Sequence, residues 1–364
     1  MRTHIVPLTL LALASINSFA SAPDSAAPVS SRAIAAGAQH DGPTVTIQQS
    51  GTLNRLQAIS PVTPQIVWAS GLGGTFVVTT DGGDTWRAGV VPGAEALQFR
   101  DVEGVSETVA YLMSAGVGDA SRIYKTEDGG ATWTLQFQNF DPSGFYDCFA
   151  FWNQKRAITM ADAVADRFPV VRTLDGQTWE DIGNWLPAAL PGEAAFAASG
   201  TCAATQGGKH GWLATGGAAR ARILATVDGG NTWAAYDLPI AQGTPTSGAL
   251  SVDFRDALHG IVGGGELAAP DAFLDNVARS SDGGQTWQLA ASPTFPGAIF
   301  GLSYVRGLDK TVVATGPAGV SWSPDEGDTW YSIPALTGYW AVAFASPQAG
   351  WLVGTQGRIL KISF

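Results

Sequence analysis

The chain has 364 residues, among them 45 Gly, 20 Pro and 13 Trp, and only 14% are charged. Apolar residues reach 45%, which supports a sizeable core and excludes wholesale disorder, while abundant glycine without a three-residue period excludes a collagen-like chain and implies many tight turns. A balance of 20 Lys+Arg against 31 Asp+Glu gives a net charge of −11, which repels phosphate backbones and anionic lipid, so neither nucleic acid nor an acidic membrane surface is expected as a partner.

Residues 1–22 have the form of a secretory signal. Arg2 supplies the positive end, Ile5 to Ala14 a short apolar run broken by Pro7, and Ala20-Ser21-Ala22 a small-residue cleavage site. That run is too short to span a bilayer, and no later stretch is long and apolar enough. An exported protein, periplasmic or extracellular and without a transmembrane segment, is therefore expected. Residues 23–42, rich in Ala, Ser and Pro, read as a flexible leader. A lone alternating strand follows at Thr44-Val-Thr-Ile-Gln-Gln49.

From there one phrase organises the chain. It occurs as Thr79-Thr-Asp-Gly-Gly-Asp-Thr-Trp86, Thr126-Glu-Asp-Gly-Gly-Ala-Thr-Trp133 and, one residue short, Thr173-Leu-Asp-Gly-Gln-Thr-Trp179. It returns as Thr226-Val-Asp-Gly-Gly-Asn-Thr-Trp233, Ser280-Ser-Asp-Gly-Gly-Gln-Thr-Trp287 and Ser323-Pro-Asp-Glu-Gly-Asp-Thr-Trp330, with Trp-to-Trp spacings of 47, 46, 54, 54 and 43. Periods of this size mark a repeat architecture. Each phrase reads as a hairpin: the Asp carboxylate accepts backbone N–H groups, Gly supplies positive φ, Thr restarts a strand, and Trp lays an apolar plate between sheets. Asp81, Asp128, Asp175, Asp228, Asp282 and Asp325 are thus expected to be structural. One carboxylate per separate hairpin makes no metal cluster, and no metal or cofactor is expected.

The phrase resembles the Asp-box, or BNR, repeat of sialidases and other β-propellers, and the resemblance runs from about residue 43 to the C-terminus. It implies four-stranded blades with the box between the third and fourth strands, on the face away from the ligand. Third strands align at Arg122-Ile-Tyr-Lys-Thr, Arg222-Ile-Leu-Ala-Thr and Arg358-Ile-Leu-Lys-Ile, and the last stops at Phe364, where a seventh box would begin. Pairing 44–49 with 358–364 supplies the missing fourth strand and removes exposed edges. The expected fold is an all-β, seven-bladed β-propeller over 43–364, closed by its N-terminal strand.

Chemistry is expected at the face carrying the fourth-to-first and second-to-third connections. The longest of these, 182–194, 237–248 and 264–277, gather on blades 3 to 5. Arg55, Tyr146, Asp147, Asp162, Trp185, Glu193, Glu266 and Phe273 are the expected ligand face, with Asn54, Glu95, Arg167, Leu186 and Leu274 nearby. Arg100, Arg255 and Arg306 read as turn residues of the opposite face. Cys148 and Cys202 lie in strand regions about one repeat apart. Two buried free thiols are the expectation, with a single bridge the alternative in an oxidising compartment.

Two functional readings follow. A single Asp-box domain of this length with an export signal resembles the photosystem II assembly and stability factor family, which implies a binding or assembly scaffold, here a monomer taking a protein or glycan partner. That family docks its partner through an arginine patch, whereas this sequence contains no arginine cluster. The alternative is a glycan-active hydrolase, with Asp147 and Glu193 as general acid and base if their carboxyl groups stand about 5–10 Å apart. The Arg-Ile-Pro motif of sialidases is absent, as are zinc, nucleophile-elbow, P-loop and dinucleotide signatures.

Overall fold

The computed structural model describes residues 42–364; the signal segment 1–22 and residues 23–41 of the leader lie outside the described residues. Seven four-stranded antiparallel sheets follow one another around a ring. Their innermost strands are Leu56–Pro61, Phe99–Gly104, Tyr146–Asn153, Ala203–Gln206, Ser247–Phe254, Gly301–Tyr304 and Tyr339–Ser346, which number blades 1 to 7. Each inner strand neighbours the next, and that of blade 7 neighbours that of blade 1. No α-helix occurs among the described residues, only three single-turn 3₁₀ segments.

The ring closes as the strand count requires. Thr44–Gln49 pairs antiparallel with Arg358–Ser363, from Thr44 opposite Ser363 to Gln49 opposite Arg358. This outermost strand buries little, and side chains reinforce the seam, among them Lys361, whose Nζ donates to the Gly82 carbonyl at 3.0 Å, and Gln48. The Oε1 of Gln48 accepts the indole N–H groups of Trp86 in blade 1 and Trp351 in blade 7, each at 3.1 Å. Its Nε2 donates to the Gly82 carbonyl at 3.2 Å, which ties the last blade to the first. Gly83 makes room for this latch, because a Cβ there would sit 2.1 Å from the same Oε1.

The six repeated phrases form six equivalent hairpins. In each, Asp Oδ1 accepts the hydroxyl of the Thr or Ser two residues before it, at 2.7–3.1 Å. The same oxygen accepts the backbone N–H of the Thr preceding Trp, at 2.8–2.9 Å, and Oδ2 accepts that residue's hydroxyl. These donors hold the Asp81 and Asp128 carboxyls down to about 2, the Thr85 and Thr132 hydroxyls contributing most. The Trp residues cross to the preceding blade: Trp133 meets Phe76 edge-on at 5.1 Å, and Trp287 joins the core between blades 4 and 5. Apolar faces of adjacent sheets thus pack around the ring, leaving polar groups to the channel and the two rims.

The expectation of two free thiols is corrected by the fold. Cys148 on the inner strand of blade 3 and Cys202 at the entry to blade 4 form a disulfide with a Cα–Cα distance of 6.0 Å, and both are fully buried. Adjacent inner strands bring residues one repeat apart to the same height, which spacing alone does not reveal.

Candidate functional site

The inner strands share a local irregularity that aims side chains at the axis. Near their starts, the pairing register skips one residue in blades 1, 2, 3, 5 and 7. The skipped residues are Gln57, Arg100, Asp147, Leu250 and Trp340. A β-bulge leaves one residue out of the ladder and redirects its side chain, so five different side chains converge on the upper channel. Blades 1 to 3 give a polar sector and blades 5 to 7 an apolar one, where Phe300 meets Trp340 at 4.8 Å and Phe196 packs with Leu250.

Arg55 lies over the Trp340 ring at 4.2 Å, so the two sectors meet there. Burial first, and then the Arg100 charge, lower the pKa of its guanidinium. The fold therefore juxtaposes two arginines that stand 45 residues apart in the chain. Arg100 was expected on the opposite face, as a residue following an inner strand. It is instead the second residue of its strand, and it reaches Gln98 Oε1 at 2.7 Å and the Ala197 carbonyl at 3.1 Å. Arg255 and Arg306 do follow their strands, and they pair with Glu326 at 2.7 Å and Asp253 at 3.8 Å.

A chain segment crosses the axis inside this ring. Ala194 exchanges both backbone hydrogen bonds with Gly216, each at 2.9 Å, and the Ala195 N–H donates to Asp162 Oδ1 at 3.0 Å. Ala197 meets Arg100, and the Ser199 hydroxyl donates to the Phe300 carbonyl of blade 6. Thr201 donates to the Ser251 hydroxyl of blade 5 at 2.8 Å, and Cys202 returns to blade 3 through the disulfide. A stretch of this length touching blades 2, 3, 5 and 6 can only lie across the channel. Gly200 permits the crossing: its φ is +74°, and a Cβ would lie 2.4 Å from Asp101 Oδ1.

The expected ligand-face residues divide under this geometry. Asp147 and Asp162 come together beneath the crossing segment, because Tyr146 pairs with Ala161 and the residue after each carries a carboxyl group that acts on the other. Burial, then the Asp162 charge, raise Asp147 well above the usual carboxylate range, and burial raises Asp162 to about 7 against the Ala195 N–H. Glu193 does not reach the mouth. Its side chain is wholly buried, accepting Arg222 Nε at 2.9 Å and the Thr215 hydroxyl at 2.6 Å, because Arg222 needs a partner inside the sheet. Tyr146 is likewise turned into the core of blades 2 and 3, edge-on to Phe137 at 5.1 Å.

At the rim of the same face, Trp185 is 44% exposed beneath the Arg172 guanidinium, and Phe273 is 62% exposed beside Leu274. Glu266 is tied to the Thr244 and Thr246 hydroxyls and the Ala268 N–H, bonds that outweigh burial and lower its pKa. Leu186 is buried. Asn54, Glu95 and Arg167 are engaged locally with Thr75, Gly93 and Asp181. No group of three or more His, Cys, Asp or Glu able to hold a metal ion occurs among the described residues. No helix among them is long and apolar enough to cross a membrane.

No protein-family model matches the chain, and neither does any curated protein sequence. Solved structures do resemble it. YCF48 bound to D1 peptide superposes with a TM-score of 0.59 at 18% identity, over 90% of this chain and 98% of that one. YCF48 from Cyanidioschyzon merolae gives 0.60 at 16% identity, over 88% and 98%. The WD40 β-propeller domain of Doa1 gives 0.55 at 12%, over 88% and 97%. At such identities the likeness is one of fold: the chain is a seven-bladed β-propeller of the architecture that YCF48 also has.

Proposed function

We propose that this chain is an exported binding or assembly scaffold for a protein partner, similar in role to the photosystem II assembly and stability factors, and that its six hairpins are Asp-boxes serving the fold alone. The observation that carries the reading is the channel mouth: Arg55, with the Arg100 charge near it, lies over Trp340, which meets Phe300, all partly exposed, so charge and aromatic surface adjoin on one face. Arginine and tryptophan are the residues that most often anchor protein interfaces. The exposed Trp185 and Phe273 extend this surface over blades 3 to 5. The likeness to YCF48, one of whose structures holds a D1 peptide, supports a protein as the partner. The apolar run at 5–14 and the Cys148–Cys202 disulfide support export to an oxidising compartment, periplasmic or extracellular, where the chain acts as a monomer.

The geometry speaks against the hydrolase reading. Glycosidase carboxyl groups stand about 5–10 Å apart with sugar or water between them, whereas Asp147 and Asp162 contact each other and Glu193 is committed to Arg222. Cross-linking the protein in the exported fraction tests the scaffold role. Trp340→Ala and Phe273→Ala should each lower partner recovery about tenfold or more with an unchanged melting temperature. Glycan cleavage that disappears in Asp147→Asn, together with unaltered partner recovery in both aromatic variants, would reverse the assignment.

A further inference from the structure

We propose that segment 194–202 is a proton-controlled plug of the central channel, seated while the Asp147–Asp162 pair holds a proton and loosened once both carboxyl groups are ionised. The pair is built into the seat. Asp162 is fixed through its own N–H to the Phe145 carbonyl at 2.9 Å, and its carboxyl receives Ala195; Asp147 stands on its bulge facing the Ala197 N–H. Two carboxyl groups in mutual contact need a proton between them, since like charges at that separation in a poorly hydrated site repel strongly. Asp147 Oδ2 is buried without an N–H or hydroxyl to pair it, which leaves a proton on the pair as the means of satisfying it.

The surrounding charges do not remove that need. Arg100, the one cation facing Asp147 among the described residues, is already held by Gln98 and the Ala197 carbonyl, and Arg55 lies beyond it over Trp340. Asp101, on the neighbouring strand, is buried and takes the Val102 and Phe149 N–H groups, each at 2.7 Å, adding no positive charge. Glu193 is neutralised by Arg222 and Arg167 by Asp181. Both carboxyls are held above their ordinary values by burial, so the seated plug binds protons that a hydrated, unplugged pair would release. The sign follows: seating is strongest in acid, weakens as pH rises above the ordinary carboxylate range, and is lost as pH passes the raised values. Opening need not disturb the blades, because the disulfide at 202 and the Ala194–Gly216 pair anchor the segment at both ends.

Amide hydrogen exchange on the full chain between pH 5 and pH 9 tests this, with rates corrected for intrinsic exchange. Protection of 195–201 should fall at least tenfold across that range, while that of Thr44–Gln49 stays constant. In Asp162→Asn the pair cannot become doubly charged, so protection of 195–201 should become independent of pH; Asp147→Asn should behave alike. Glu103, which burial raises to about 8 elsewhere on blade 2, gives the control, since Glu103→Gln should keep the wild-type profile. A flat profile for 195–201 in the unmodified protein overturns the proposal without any variant. So does an unchanged slope in a folded Asp162→Asn or Asp147→Asn protein.

Discussion

Replacing Gln48 by Ala tests how the ring is held shut. The substitution removes one acceptor shared by two indole N–H groups and one donor to the Gly82 carbonyl. Trp351 is fully buried, so its N–H would lose the whole benefit of a partner, at about 1–3 kcal/mol. Trp86 is half-buried and regains water, and the Gly82 bond contributes the ordinary increment of about 1 kcal/mol. A total loss of about 2–4 kcal/mol is expected. For a ring of roughly 320 residues, at about 2 cal/mol/K of unfolding entropy per residue, that corresponds to a fall of roughly 3–6 °C in melting temperature. Urea unfolding followed by tryptophan fluorescence would give the free energy, and size-exclusion chromatography would show whether the freed seam causes association. A loss below about 0.5 kcal/mol would refute the latch and leave closure to backbone pairing, the Lys361–Gly82 bond and the apolar packing of blades 7 and 1.

Two other perturbations read different parts of the frame. Changing both Cys148 and Cys202 to Ser opens a loop with a sequence separation of 54, for which chain entropy gives roughly 4 kcal/mol; chemical denaturation with and without reductant should show most of this loss in the native protein and none in the double variant. Asp228→Ala should cost about 1 kcal/mol by removing acceptors from an otherwise exposed hairpin, with partner recovery intact in the folded fraction. The Asp228 carboxyl is lowered to about 2 by hydrogen bonds that outweigh its burial, so this contribution is present above the ordinary carboxylate pKa and is lost progressively as pH falls from there through about 2.

The frame was legible because it is repetitive. Six phrases locate six hairpins, and the missing seventh locates the closing strand, since both depend on local turn chemistry and strand count. Side-chain destinations were not, because they depend on register. Gln98-Phe99-Arg100 looks like Asp253-Phe254-Arg255, yet the former opens its inner strand and the latter ends one, which sends Arg100 to the channel and Arg255 to the far turns. Glu193 sits at the end of a long connection and Tyr146 at the start of an inner strand, but they are drawn inward by Arg222 and by an aromatic core. The crossing segment had one signal, the 54-residue gap between Trp179 and Trp233 against 43 to 47 in shorter blades. A second gap of 54, on blade 5, carries no such crossing, so length alone could not have placed it.

The bulged positions have a consequence for how such a ring can vary. Gln57, Arg100, Asp147, Leu250 and Trp340 occupy equivalent places, yet none takes part in a ladder pair, so the sheets place little demand on their identity. An amide, a cation, an acid, an aliphatic chain and an indole are all accommodated by one backbone. Each of these five blades thus carries one site free of strand pairing, and the five together form a short combinatorial code mounted on an unchanging frame. A library varied at the two partly exposed positions, Arg100 and Trp340, would sample binding specificities, whereas the buried Gln57, Asp147 and Leu250 bear on stability as well.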